Sequence, residues 1–425
     1  VTSATAIRTT LPAATTATAP GPGKFAALRS PAYRIYLTGQ AFANTGTWMQ
    51  SIAQDWLILR LTHSAFAVGL VMTLQFLPIL LLGVVGGQLA DRYPRRRILL
   101  ITQTANAGLT VLLALLTATG SVRPGHIYLF ALLGGLVFAV DGPTRQAFMT
   151  DVVPPGQLRG AVSLNAAVFQ STRLAGPAIA GVLMGTVGTG WVFALVALCF
   201  TGPIIGLLRL NPADLNPARP LAAGPGALRA AGRHVAGRPH IAWTIMLVGM
   251  VGTFGLNFPI VMTAMATQTF GGGAGMYALF NVMLGIGSVA GALLAGTRTN
   301  PRLRLIVLAA IAFGLSQAAA GVAPGIAVFL VLLVVIGLTN LAFQAMANSS
   351  VQLWSDPRMR GRIMGLYMLV FTGGTPIGAP IIGALTSHFG ARLGMTVCGV
   401  VPAAAAAGLV LKHVREARRQ GASAG

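Results

Sequence analysis

Long apolar runs alternate with short polar interruptions along almost the whole chain. A helix needs about 20 largely apolar residues to cross a bilayer. Stretches of that kind fall at 36–60, 66–90, 98–119, 125–149, 162–187, 189–210, 241–268, 273–296, 303–321, 325–349, 363–386 and 391–411. They predict an all-α membrane protein with twelve transmembrane helices. The narrowest break, "VGTG", separates the fifth run from the sixth, and the widest, 211–240, divides the runs six and six. The expected organisation is a disordered tail (1–30), a six-helix half (31–210), a central loop (211–240), a second six-helix half (241–411) and a closing tail (412–425). From Ala227 the central loop has the pattern of a short basic helix lying on a membrane surface. Residues 1–30 are rich in Ala, Thr and Pro and lack the apolar core of a signal peptide.

Composition points the same way. Only 8% of the 425 residues are charged, against about 25% in soluble domains, so a lipid bilayer is the expected surrounding. A net charge of +22 would on its own suit a nucleic-acid binder. The basic residues instead form short clusters between apolar runs, and no nucleic-acid partner is expected. Three of the 29 Lys and Arg residues lie in loops on one side (Arg60, Arg123, Arg392), two lie within runs, and the others lie in the tails and in loops on the opposite side. By the positive-inside rule both termini are then cytoplasmic in a multi-pass protein of the inner (cytoplasmic) membrane. Cys199 and Cys398 sit inside apolar runs and predict buried thiols. The six histidines show no metal-ligand spacing, and the phosphate-loop motif G-x-x-x-x-G-K-[ST] is absent. No metal, cofactor or enzymatic activity is expected.

Charge inside a span is costly, by about 2.5 kcal/mol or more at its centre, and only four such residues occur: Asp55, Asp141, Arg145 and Arg173. Asp55, in "MQSIAQDWLIL", is either a cavity-facing proton site or an interfacial acid paired with Arg60. Asp141 and Arg145 stand four apart in "VDGPTRQ", on one helical face, with Pro143 between them to bend the helix. Asp141 is a second proton-coupling candidate, and Arg145, Arg173 and Arg95 compete to be its partner. Arg173, near mid-bilayer, either binds Asp141 or meets an acidic group on a ligand. After it, Gly176, Pro177 and Gly181 in "GPAIAGVLMG" form a small-residue packing motif that lets helices approach closely. Trp48, Gln50, Gln54, Phe254, Asn257, Asn340 and Gln344 are candidates to line a substrate cavity, although each serves equally well as a helix–helix contact.

The two halves also echo one another. "LRGAVSLNAAVFQSTRLAGPAIAGVL" (158–183) and "MRGRIMGLYMLVFTGGTPIGAPIIGAL" (359–385) share an Arg-Gly start and paired glycines, Gly176 and Gly181 against Gly378 and Gly383. Such a repeat places a substrate site between halves, near mid-membrane.

The densest charge cluster is "GGQLADRYPRRRILL" (86–100), between the second and third runs. It resembles the loop signature of the major facilitator superfamily, G-x-L-A-D-R-x-G-R-R/K. Gly87, Asp91, Arg92, Arg95 and Arg96 fit, and Pro94 replaces the usual glycine. The equivalent loop in the second half, "GALLAGTRTNPRLR", has no acid. "GTWMQSIAQDWLILRLTHSAFAVGL", "DGPTRQAFMTDVVP" and "RLAGPAIAG" resemble the enterobactin-exporter-like and drug-exporter-like branch. The resemblance implies that Asp91 latches the inner gate against the N-terminus of the eleventh span, where the helix dipole favours an anion. It further implies that Arg95 is the partner of Asp141, and that a monomer exchanges protons for an amphipathic small-molecule substrate, a drug or siderophore-like product. Import or facilitated passage on the same fold, and a non-transporting scaffold or sensor, are the competing readings.

Overall fold

The structure, a computed structural model, describes residues 26–154, 156–211, 215, 227–296, 303–356 and 359–422. Most of the tail 1–30, most of the central loop and the loop 297–302 lie outside the described residues. Among those described the regular structure is entirely helical. The first helices are α1 (Pro31–Thr62), α2 (Ala65–Arg92), α3 (Arg95–Ala118), α4 (Pro124–Val152), α5 (Leu158–Thr186) and α6 (Thr189–Arg209). A short helix, α7 (Ala227–Ala236), stands where the basic surface helix was expected. After it come α8 (Pro239–Met250), α9 (Phe258–Ala264), α10 (Ala274–Gly296), α11 (Leu303–Gly321), α12 (Ile326–Trp354), α13 (Arg360–Gly373), α14 (Thr375–Phe389) and α15 (Ala391–Ala422). The last helix runs well beyond the expected end at residue 411.

Among the described residues ten helical stretches are long and apolar enough to cross a membrane, which makes the chain an integral membrane protein. Two of the ten are bent composites, Pro239–Thr269 and Arg360–Phe389. The two expected spans that fall short are α1 and α5. They are as long as the others, at 32 and 29 residues. Polar residues dilute them: Gln40, Asn44, Gln50, Gln54 and Asp55 in one, Asn165, Gln170 and Arg173 in the other.

Local chemistry sets the ends and bends. Ser30 caps α1 by accepting from the Tyr33 amide at 3.4 Å, with Pro31 in the first turn, where its missing N–H is harmless. Gly188 ends the α5–α6 turn at φ 93°, ψ 169°, and Gly390 ends the α14–α15 turn at φ 90°, ψ 163°. That region of backbone space is essentially reserved for glycine. The bend in Pro239–Thr269 follows from Pro259, which cannot donate to the carbonyl four residues back at Gly255. Gln317 of α11 supplies the missing donor at 3.0 Å. Asn257 bonds the neighbouring carbonyls of Thr253 and Phe254 at 2.8 and 3.0 Å. Two π-turns, Val251–Gly255 and Met265–Thr269, flank the break.

Within the first set of helices α1 packs on α5 and α6, α2 on α4, and α3 on α4 and α6. In the second, α10 packs on α12, and α11 on α12 and α15. The α2–α4 and α10–α12 pairs use one device. Gly86 and Gly135 press on carbonyls of the facing helix in the first pair, as Gly287, Gly291 and Gly337 do in the second. The sets meet along two seams, α2–α14 and α5–α10.

We call the end bearing Arg92 and Arg95–Arg97 the basic end and the opposite one the far end. The seams close toward the far end. There the Phe66 amide donates to the Ser387 hydroxyl at 2.9 Å, the Ser64 and Ser387 hydroxyls lie 3.5 Å apart, and Gly383 packs against Ala65 and Phe66. Toward the basic end α2 and α13 diverge. Gly87 on α2, and Gly361 and Gly365 on α13, have no neighbouring atom within 4 Å of where a Cβ would stand.

Candidate functional site

The polar residues of α1 define the site. Gln40, Asn44, Trp48, Ser51 and Asp55 follow at offsets of four, four, three and four, which puts them in one stripe along the helix. Side chains from other helices meet that stripe at three levels.

Nearest the basic end is a buried cluster. Asp141 of α4 is fully buried and accepts hydrogen bonds from Thr102 Oγ1 at 2.7 Å and Gln103 Nε2 at 2.9 Å, both on α3. Its other oxygen is in a short ion pair with Arg145 Nη2. Arg145 Nη1 donates to Gln40 Oε1 at 3.2 Å and Asn44 Oδ1 at 3.4 Å. The partner of Asp141 is therefore Arg145, one turn away on its own helix, and neither Arg95 nor Arg173. A buried carboxylate needs a cation and further donors close at hand, and α3 and α4 supply them without reaching to the loop.

At the middle level Arg173 lies over the Trp48 ring, its guanidinium carbon 5.5 Å from the ring centre, and Phe169 meets the same ring edge-on at 5.8 Å. Gly176, one turn further along α5, makes this approach possible. A Cβ there would stand 2.6 Å from Trp48 Cβ. Gly181 in turn packs against Ala278 of α10, and Pro177 is buried beside Gly176.

At the far level Asp55, 4% exposed, accepts a hydrogen bond from the Tyr277 hydroxyl at 3.1 Å. Tyr277 belongs to α10, so this bond crosses between the two sets of helices. No ion pair joins Asp55 to Arg60 among the described residues. Nothing in the apolar pattern pointed to Tyr277, because one tyrosine in an apolar run carries no distinguishing signal.

The basic-end loop is anchored by side chains the motif contains and by one it does not. Arg95 Nη1 binds Asp151, at the end of α4, at 2.7 Å, and its Nε reaches the Ala90 carbonyl at 3.3 Å. Asp151 escaped the sequence analysis, although in a chain with seven acids each one merits a partner search. Arg96 donates to the Leu207 and Leu208 carbonyls at 2.7 and 3.2 Å, capping α6, where a cation complements the helix dipole. Asp91 is 3.9 Å from Arg95, its side chain 45% exposed. It does not engage α13, since the two helix ends stand apart, and Arg92 is exposed beside it.

Several proposed cavity residues are committed elsewhere. Gln50 accepts from Thr110 of α3 at 3.3 Å, and Gln54 donates to the Ile127 carbonyl of α4 at 3.4 Å. Asn257 is spent on the carbonyls at the bend. Asn340 accepts from Gln344 at 2.8 Å on the same helix and is itself buried. Trp48 and Phe254 stay partly exposed. The polarity of a residue was legible in the sequence; the direction it faces around its helix was not.

Comparison with known proteins agrees with this architecture. A staphyloferrin A transporter of Staphylococcus aureus is 24% identical over 84% of this chain and 89% of its own. An enterobactin exporter of Citrobacter koseri is 26% identical over 84% and 85%. A multidrug efflux pump of Mycobacterium tuberculosis is 24% identical over 85% and 88%. Among solved structures, a bacterial homologue of the lysosomal transporter Spinster, in an inward-facing unoccupied conformation, superposes with a TM-score of 0.70 at 15% identity, covering 89% of this chain and 95% of that one. A POT-family transporter in complex with 5-aminolevulinic acid does so at 0.74 and 11% identity, covering 92% and 97%. The sequence model of the transmembrane secretion effectors matches residues 22–424, and the chain therefore belongs to that family of major facilitator superfamily transporters.

Proposed function

We propose that this chain is a secondary active exporter of an amphipathic small molecule, drug-like or siderophore-like, driven by proton antiport through alternating access. In this reading twelve helices form two related six-helix halves, α1 and α5 serving as the two polar spans. The recurring glycine contacts and the paired turns at Gly188 and Gly390 support the repeat. Both termini are cytoplasmic, the basic end faces the cytoplasm, and the conformation described is open to it. The exporters among the relatives support the outward direction.

The observation that carries the mechanism is the Asp55–Tyr277 bond across the seam. A carboxylate couples protons to transport only when its proton affinity differs between the two states. Opening the far end pulls Asp55 away from Tyr277 and brings it to water, so its surroundings change completely. Asp141 stands second, because all its partners lie on α3 and α4 and need not move when the seams open. In the alternative state the basic ends close, and the exposed Asp91 meets the first turn of α13.

Accumulation of antibiotics and siderophores is compared in cells expressing the wild type, Asp55→Asn, Asp141→Asn and Asp91→Asn, with and without a proton uncoupler. Uncoupler-sensitive efflux that Asp55→Asn abolishes is the expected outcome. Efflux indifferent to the uncoupler and to all three substitutions overturns proton antiport.

A further inference from the structure

The middle level of the α1 stripe contains a cation, Arg173, without a counter-charge among the described residues. Arg173 sits midway along α5, and no hydrogen bond or ion pair to its guanidinium is present among the described residues. An arginine at that depth requires a carboxylate, water or an anionic ligand.

Accounting for the acids is short, because the chain has seven. Asp141 is taken by Arg145 and Asp55 by Tyr277. Asp55 stands seven residues beyond Trp48 on α1, about 10 Å along the helix axis. Asp91 and Asp151 lie at the basic end with Arg95. Asp356 follows α12 at that same end, and Asp214 and Glu416 belong to the central loop and the closing tail. The helix that faces α5 across the seam, α10, contains no charged residue at all. Among the described residues no acid pairs with Arg173.

What the protein does supply is an aromatic shelf. Trp48 and Phe169 meet edge to face, and the guanidinium lies over the Trp48 ring with its carbon 5.5 Å from the ring centre; a guanidinium presents its donors as a rigid planar fork. Such a fork matches a carboxylate or similar oxyanion bidentately, and the exposed Phe169 ring beside it offers contact to a flat apolar body.

From this we infer that Arg173, Trp48 and Phe169 form a substrate subsite selective for an organic oxyanion attached to a flat ring. The inference rests on the transporter reading above and narrows it: the transported molecules include anions, and the anionic group sits at Arg173.

The test uses the full chain in lipid nanodiscs. Three ring compounds serve as probes: salicylate (anionic), salicylamide (neutral) and tetraphenylphosphonium (cationic). Binding is followed by tryptophan quenching, with Trp48→Phe to identify the reporting residue. Salicylate is expected to bind the wild type more tightly than salicylamide. Arg173→Gln should weaken salicylate by about tenfold or more while leaving salicylamide within about twofold. Arg173→Lys should retain part of the preference, and it carries the test if the glutamine variant does not fold. A purely structural arginine would instead lower the unfolding temperature in Arg173→Gln with the salicylate-to-salicylamide ratio unchanged, and that result overturns the proposal. So does a wild type that binds tetraphenylphosphonium best, or binds no salicylate saturably. The exporter reading fails separately. Arg173-dependent salicylate binding without uncoupler-sensitive efflux leaves the subsite standing and removes the exporter, whereas uncoupler-sensitive efflux in Arg173→Gln with the salicylate-to-salicylamide preference of the wild type does the reverse.

Discussion

Asp141 illustrates the cost of a single buried charge. Its carboxylate is satisfied by Thr102, Gln103 and Arg145, and Arg145 in turn by Gln40 and Asn44. Asp141→Asn leaves the guanidinium buried without its anion, a loss of about 3–5 kcal/mol. We expect a clearly lower unfolding temperature in detergent, partly restored in the Asp141→Asn, Arg145→Gln double variant. If the single variant unfolds with the wild type, the ion pair is not the anchor of this cluster. Gly176 gives a second residue-scale prediction. Its added methyl in Gly176→Ala would crowd Trp48, an overpacking worth about 1–3 kcal/mol. It should displace the Trp48 ring as well as destabilise, which an altered Trp48 emission spectrum would register. Which residues were charged, and that Asp141 and Arg145 shared a face, could be read in the sequence. Their remaining partners could not, since Thr102, Gln103, Gln40 and Asn44 stand on other helices whose rotation an apolar run leaves undetermined.

Among the elements, the composite span Pro239–Thr269 is the most informative. A proline removes one rung of the helix ladder, and Gln317 of α11, fully buried, restores it from outside. Gln317→Ala should leave the Gly255 carbonyl unpaired and cost about 1–3 kcal/mol, read as a lower unfolding temperature; no change would mean that the bend satisfies itself by local rearrangement. The proline was visible in the sequence, but the glutamine some sixty residues later was not recognisable as its complement. Element positions were otherwise well marked, because twenty-residue apolar runs are hard to mistake. Their ends were less so: α1 begins at Pro31 rather than 36, since Ser30 and Pro31 start the helix before its apolar run begins. Counting twelve runs and finding ten clearly apolar spans follows from one cause, the concentration of polar side chains in α1 and α5. The helices least suited to lipid are those that carry the candidate site.

At the scale of the molecule, the far end is closed and the basic end is splayed. Ser64 and Ser387 bridge the closed seam with their hydroxyls 3.5 Å apart, close enough for a disulfide between replacement cysteines. Both native cysteines are buried and should not compete. Ser64→Cys, Ser387→Cys is expected to cross-link on mild oxidation and to stop transport until reduced. Continued transport in the cross-linked state would show that this seam need not open. No periodicity encodes which end is open, because the same runs pack in either state, and the choice is made by contacts between helices far apart in the chain.

The shortage of acids has an electrical consequence. Arg173, with no counter-charge among the described residues, holds a positive charge inside the membrane's own field. If an anion leaves the cell against Arg173 while a proton enters through Asp55, both movements carry positive charge inward. The resting voltage, negative inside, then drives each of them, at about 2.3 kcal/mol per charge for every 100 mV. Such a cycle would run on voltage even with no pH gradient, and it would leave an inward current as its signature.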